Sequence, residues 1–195
     1  MHWSGTERPP YEDRRGAYAF WDNVGLAMAT SNERQRLEKL ALYDELTGLP
    51  NQLLLHDELE RRLRAGDSVV LLHVDFDGMR EANNSHLGYE AGGDFLIRTV
   101  GQAIPGFLED GELAARLHRA GDEFAFVLEP GADAARRATA LERALDELEL
   151  PESHRPFYGG ASVGYALSAS ADTPASLLQR AAKSMRQRKA ERKAV

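Results

Sequence analysis

The strongest constraint on this chain is the run Val69-Val70-Leu71-Leu72-His73-Val74, an almost unbroken apolar stretch cut off by Asp75-Phe76-Asp77-Gly78. A segment from Ser68 to Phe76 with this composition reads as a β-strand, and because successive side chains point to opposite faces of a sheet, both of its faces must be covered. Helices have to supply that cover, and the sequence holds them on both sides of the strand. From Ser31, the positions Leu37, Leu40 and Ala41 recur at helical spacing up to a stop at Gly48, with Asp44 and Thr47 as turn formers. A second helix is predicted from about Asn51, with Leu54, Leu55, Leu59 and Leu63 on one stripe, until Gly66-Asp67 ends it.

Beyond the strand, helical segments run from Arg80 to Ile104, interrupted at Gly88 and Gly92-Gly93. Leu113 to Leu117 and Phe124 to Leu128 read as two strands of a hairpin joined by His118-Arg119-Ala120-Gly121-Asp122. Ala132 to Leu150 is an amphipathic helix, Phe157 to Leu167 a strand, and Pro174 to Lys193 a final helix opened by Thr173-Pro174. The order β-α-α-β-β-α-β, with helix before and after, predicts an α/β (α+β) fold, a mixed central sheet flanked by helices. The division is an N-terminal arm over 1–30, a linker helix over 31–43 and a domain over 44–195. The arm is turn-rich yet carries Trp3, Tyr11, Tyr18, Phe20 and Trp21, and packing of these aromatics on the domain is expected ahead of the alternative, a dimerising or sensor-linking segment.

Composition narrows the function. With no cysteine there is no thiolate metal site and no cysteine nucleophile, so a metal would need oxygen or imidazole ligands, which suits Mg²⁺, Mn²⁺ or Ca²⁺. The net charge of −7 repels a nucleic-acid backbone, so DNA and RNA are not expected partners. No membrane segment or secretory signal is read in the sequence, and a cytoplasmic location is expected.

Carboxylates stand where chemistry tends to sit. Asp75 and Asp77 close the apolar strand, and Asp122 and Glu123 follow the hairpin turn. If the hairpin neighbours that strand, three or four negative charges converge, and a divalent cation relieves their repulsion. Taken singly, each is better read as an ordinary turn residue.

Together with their neighbours these residues resemble the GGDEF domain of diguanylate cyclases. Asp44-Glu45-Leu46-Thr47-Gly48-Leu49-Pro50-Asn51 is similar to that family's D-x-L-T-G-L-x-N, and Asp75 to Asn84 resembles its D-x-D-x-F-K-x-x-N-D. Gly93-Asp94-Phe95-Leu96 resembles G-D-x-L, Ala120-Gly121-Asp122-Glu123-Phe124 stands in the signature hairpin, Ala161-Ser162-Val163-Gly164 is similar to A-S-I-G, and Lys189 falls on the lysine of the last helix. The resemblance implies an enzyme that condenses two GTP into cyclic di-GMP, releasing pyrophosphate. It implies Mg²⁺ or Mn²⁺ held by Asp75, the Phe76 carbonyl, Asp122 and Glu123, with Asp122 and Glu123 as the catalytic residues. Asn83 and Asp94 would read guanine, whose N1-H and exocyclic amine need acceptors. Arg80 and Lys189 would contact phosphates, and a homodimer would bring two sites together, aligned by the 31–43 helix.

The departures are specific. Ala120 stands for the first signature glycine, Arg80 for a lysine, and the segment between Asp75 and Gly93 is two residues longer than the family pattern. The R-x-x-D of the family's product-inhibition site would fall at Gly111 to Ala114, and neither charge is there. A degenerate domain that binds GTP, cyclic di-GMP or a protein partner without turnover is the alternative these departures leave.

Overall fold

The structure, a computed structural model, describes residues 33–88 and 92–194. The expected arm over 1–30 lies outside the described residues. Helix α1 spans 33–42 and carries an Arg34–Glu38 pair one turn apart at 2.9 Å. It belongs to a separate unit from Leu42–Val195, which forms the domain.

Within the domain, α2 (Gln52–Ala65) starts where the Asn51 side chain accepts hydrogen bonds from the amides of Leu53 and Leu54, and stops at Gly66 in the left-handed conformation. Strand β1 (Val70–Phe76) follows, then α3 (Met79–Asn84), α4 (Asp94–Ala103), β2 (Leu113–Arg116), β3 (Glu123–Leu128), α5 (Ala134–Asp146), β4 (Ala161–Leu167) and α6 (Pro174–Lys193). α6 has the expected bounds, and its first turn is fixed by a reciprocal capping box between Thr173 and Ser176.

The four strands lie in the order β2-β3-β1-β4, and every pair is antiparallel. The α+β class holds, but the mixed pairing expected of the sheet does not. Helical crossovers do return the chain parallel to the strand it left, β1 to β2 and β3 to β4. Each parallel couple is then split by a third strand, β3 lying between β1 and β2, and β1 between β3 and β4, so direct neighbours run antiparallel. The only parallel element among the described residues is a single bridge, Asn51 to Arg116.

Alternation along β1 divides the core into two layers. Val70, Leu72, Val74 and Phe76 join Phe124, Phe126, Leu96, Ile97 and Leu141 on the α3–α4–α5 side. Val69 and Leu71 join Leu55, Leu59, Ala125, Val127 and Leu177 under α2 and α6. The central strand is thus covered on both faces, as its composition demands. α6 lies so close to β4 that a Cβ at Gly164 would collide with the Met185 backbone amide. Around the β4 edge, buried Glu142 of α5 receives Arg188 at 2.9 Å and Arg192 at 3.0 Å from α6, joining helices of opposite faces.

Candidate functional site

The last residues of β1 carry the acidic centre. Asp75 sits opposite Glu123 of β3 and opposite Ser162 of β4. Asp77 follows with its backbone fixed, its amide donating to the Gly160 carbonyl at 3.0 Å and its carbonyl accepting from Gly159 at 2.8 Å. The Ser162 hydroxyl donates to Asp77 Oδ2 at 3.1 Å. From α6, Lys189 Nζ pairs with Asp75 Oδ1 and lies 3.1 Å from Asp77 Oδ1. Burial, and then the charge of Asp75, push the Asp122 carboxyl above its ordinary value, with Glu123 adding to the rise and Lys189 opposing it. Asp75 and Asp122 are thus near enough for their charges to interact. Glu123 lines a separate small cavity with His73, Gln52, His118 and Arg186, and His118 Nε2 stands 3.6 Å from its Oε2.

The hairpin that presents Asp122 is a tight turn, with the Gly121 amide donating to the His118 carbonyl at 3.1 Å. No residue other than glycine has positive φ among the described residues, so Ala120 adopts its place without backbone strain. Arg116, buried in β2, holds the turn from beneath. Its Nε and NH2 donate to the Gly121 carbonyl at 3.1 and 2.9 Å, and its NH1 donates to both carboxylate oxygens of Asp44 at 3.0 and 3.2 Å. Asp44 also accepts from the Thr47 amide at 2.9 Å and hydroxyl at 2.8 Å. The sequence alone does not assign Arg116 this supporting role. A charged residue inside the apolar segment Leu113-Ala114-Ala115-Arg116-Leu117 was the available signal, since a buried guanidinium must find partners.

Beside the hairpin opens a cleft of about 640 Å³, walled by Met79, Arg80, Asn83, Asn84, Gly93, Asp94, Arg116, Arg119 and Asp122 among others. Asn83 lies in the last turn of α3 and Asp94 opens α4, and the two helices meet so tightly that a Cβ at Gly93 would strike the Asn83 side-chain oxygen. That oxygen, Oδ1, is buried and has no hydrogen-bond partner among the described residues. Of the eight residues singled out by sequence, Arg80, Asn83, Asp94 and Asp122 line this cleft. Asp75, Glu123 and Lys189 gather beside Asp122 at the sheet end, and the Phe76 ring is buried in the core, leaving only its carbonyl for ligation.

Hard oxygen donors around Asp75 and Asp122, crowded enough to raise a carboxyl pKa, are the chemistry that binds a divalent cation. The donor set fits such an ion. Among the described residues no three carboxylates or imidazoles are gathered ready-made around one point; Asp75 and Asp77 are both engaged by Lys189.

The family model for the diguanylate cyclase GGDEF domain matches residues 41–194. The chain belongs to the GGDEF family. Among its relatives, the diguanylate cyclase TpbB of Pseudomonas aeruginosa is 34% identical over 155 residues, 75% of this chain and 35% of that protein. The bifunctional diguanylate cyclase/cyclic di-GMP phosphodiesterase MucR of the same species is 32% identical over 148 residues, 73% of this chain and 21% of that protein. The chain thus spans about a third or less of the length of these curated relatives. Among solved structures, the GGDEF domain of TpbB superposes with a TM-score of 0.63 at 32% identity, over 76% of this chain and 89% of that one. The coiled coil and GGDEF domain of DgcB from Caulobacter crescentus, solved with c-di-GMP, gives 0.76 over 90% and 94%, at 24% identity a likeness of fold. Among the described residues no helix is long and apolar enough to cross a membrane.

Proposed function

We propose that this GGDEF domain is a working diguanylate cyclase, condensing two GTP into cyclic di-GMP with loss of two pyrophosphates. The observation that carries the reading is that Asp122 belongs both to the cleft wall and to the acidic sheet end. The cleft holds the Asn83 side chain and the Asp94 carboxylate, which suit guanine, and Asp122 in its wall feels the charge of Asp75 at the sheet end. Asn83 Oδ1 and Asp94 would accept from the guanine N1-H and amine, and Arg80 would hold phosphate from the α3 side. Asp75, the Phe76 carbonyl, Asp122 and Glu123 would hold Mg²⁺, with Mn²⁺ a substitute. When bound, the ion supplies Lewis-acid stabilisation of charge on the reacting phosphate. Asp122, whose proton affinity is raised by burial and by Asp75, and Glu123 beside it would take the proton of the attacking 3′-hydroxyl. Each 3′-oxygen forms a bond to the α-phosphorus of the other GTP as the bond to pyrophosphate breaks. GTP and this chemistry belong in the cytoplasm.

Incubation with GTP and Mg²⁺ followed by chromatography tests the reading, and appearance of cyclic di-GMP with two pyrophosphates per product is the expected result. One cleft of this size takes one nucleotide, so two domains must face one another. The rate per molecule is therefore expected to rise with protein concentration; a constant rate from a monomer defined by light scattering would reject the dimer. Glu123, turned toward the His118 cavity, favours a second reading in which GTP is bound without turnover, and calorimetric GTP binding with no product would establish it.

Product inhibition is expected to be competitive only. Where the family's R-x-x-D would lie, Gly111 has φ of +83° and Ala114 is buried. The nearby Arg137 is already held by Glu109 and by Glu112 at 2.6 Å, and Arg116 is committed to Asp44 and Gly121. Cyclic di-GMP that still binds when a non-hydrolysable GTP analogue saturates the cleft would show this expectation to be wrong.

A further inference from the structure

Four carboxylates, Asp75, Asp77, Asp122 and Glu123, stand at one end of the sheet, and Lys189 brings a positive charge among them. Its Nζ pairs with Asp75 and Asp77, and only 24% of its side chain is exposed. One ammonium thus stands between two carboxylates. Lys189 therefore contacts two of the four acidic groups.

This placement bears on the order in which ligands are accepted. An ammonium and a divalent cation cannot both contact Asp75 Oδ1 without strong repulsion, because like charges at contact distance in a partly desolvated site are poorly screened. Asp75, a carboxylate that the cation needs, is thus already paired with a positive charge of the chain itself. Lysine is suited to an exchangeable role: its charge sits at the end of a flexible four-carbon stem with freely rotating donors, unlike the rigid fork of arginine. Asp77 cannot move with it, being fixed by Ser162 and by two backbone hydrogen bonds.

We propose, building on the cyclase reading, that Lys189 is the resident counter-ion of the acidic centre, and that a divalent cation gains Asp75 only by displacing its ammonium. The phosphates of the nucleotide are the natural new partner for the displaced charge. Cation binding in the absence of nucleotide is accordingly weakened by the chain's own lysine, and loading of metal and nucleotide are linked through this side chain.

The test uses Mn²⁺ alone, titrated into the nucleotide-free protein and followed by the electron paramagnetic resonance signal of the free ion. Lys189→Met, which removes the charge and keeps the stem, is expected to bind Mn²⁺ about tenfold or more tightly than the wild type. Lys189→Gln serves as a second neutral variant should the first fold poorly by circular dichroism. Lys189→Arg keeps the charge and is expected to bind as weakly as the wild type, and so is Lys183→Met, which alters an exposed lysine on the same helix. Equal Mn²⁺ affinity in wild type and both neutral variants would overturn the counter-ion role and leave the cyclase reading intact. Tighter Mn²⁺ binding in the neutral variants, with no cyclic di-GMP formed by the wild type, would support the counter-ion and remove the cyclase reading. Weaker binding in the neutral variants would also overturn the proposal, since it would make Lys189 a support of the cation site.

Discussion

Asp75→Asn is expected to lower cyclic di-GMP formation by about a thousandfold or more while the domain stays folded. Asparagine keeps the volume and one carbonyl-type oxygen of the aspartate, so Lys189 retains an acceptor there and keeps its 3.1 Å contact with Asp77. What is lost is the negative charge that a divalent cation requires. Glu123→Gln should act in the same direction, because Glu123 is the direct cross-strand neighbour of Asp75. The assay is chromatographic detection of product with Mg²⁺ and with Mn²⁺, alongside a thermal melt. An independent readout comes from Asp122. The charge of Asp75 is the second cause, after burial, of its raised pKa, so its titration followed by NMR should move down toward the ordinary value in Asp75→Asn. Wild-type turnover in either variant would remove the acidic centre from the chemistry.

How far the sequence alone leads depends on whether a property is local. β1 was legible because an apolar run of that length has one physical solution, burial on both faces, and α6 because Thr173-Pro174 caps its start. The start of β4 was not. Phe157 reads as strand by its apolar ring, yet it sits in a 3₁₀ turn over Arg155–Phe157, and Gly160, at φ +84°, breaks the backbone before Ala161. The pairing of the sheet was hidden for a different reason. Helical crossovers announce parallel strands, but nothing local says that another strand will insert between them. At the site, residue types marked Asn83, Asp94, Asp122 and Arg80, and the fold brings these four to one cleft. The position of Glu123 follows from strand alternation, which sends it to the face of Asp75 and His73 rather than toward the cleft. The pairing of Lys189 with Asp75, across more than a hundred residues, and of Arg116 with Asp44 are tertiary facts that no spacing encodes.

That second pair gives the largest expected effect on stability. Arg116 and Asp44 are 4% and 5% exposed, and the guanidinium also supplies two donors to the Gly121 carbonyl. Arg116→Ala strands a buried carboxylate and loosens the turn that carries Asp122, at a cost of about 3–5 kcal/mol, which for a domain of this size lowers Tm by roughly 6–20 °C. Asp44→Asn, Arg116→Ala together should cost less than the sum of the two single changes by at least about 1 kcal/mol, since the second removes a group the first has already orphaned. The sign of the pH dependence separates this account from simple loss of packing. Burial tends to raise the Asp44 carboxyl, but hydrogen bonds from Thr47 and Arg116 and the charge of Arg116 outweigh it and hold the pKa below its ordinary value of 3.8. A folded-state pKa below the unfolded one contributes stability that is present above about pH 4 and lost as pH falls through the lower value. Without Arg116 the main charge opposing burial is gone, the carboxyl rises, and protonation then relieves the variant rather than harming it. The difference in Tm between wild type and Arg116→Ala should therefore be widest near pH 7 and shrink as the pH is lowered toward 3. A gap that stays constant or widens on acidification would mean that Arg116 acts through its bulk, and that the tie between the Asp44 turn and the signature hairpin is not electrostatic.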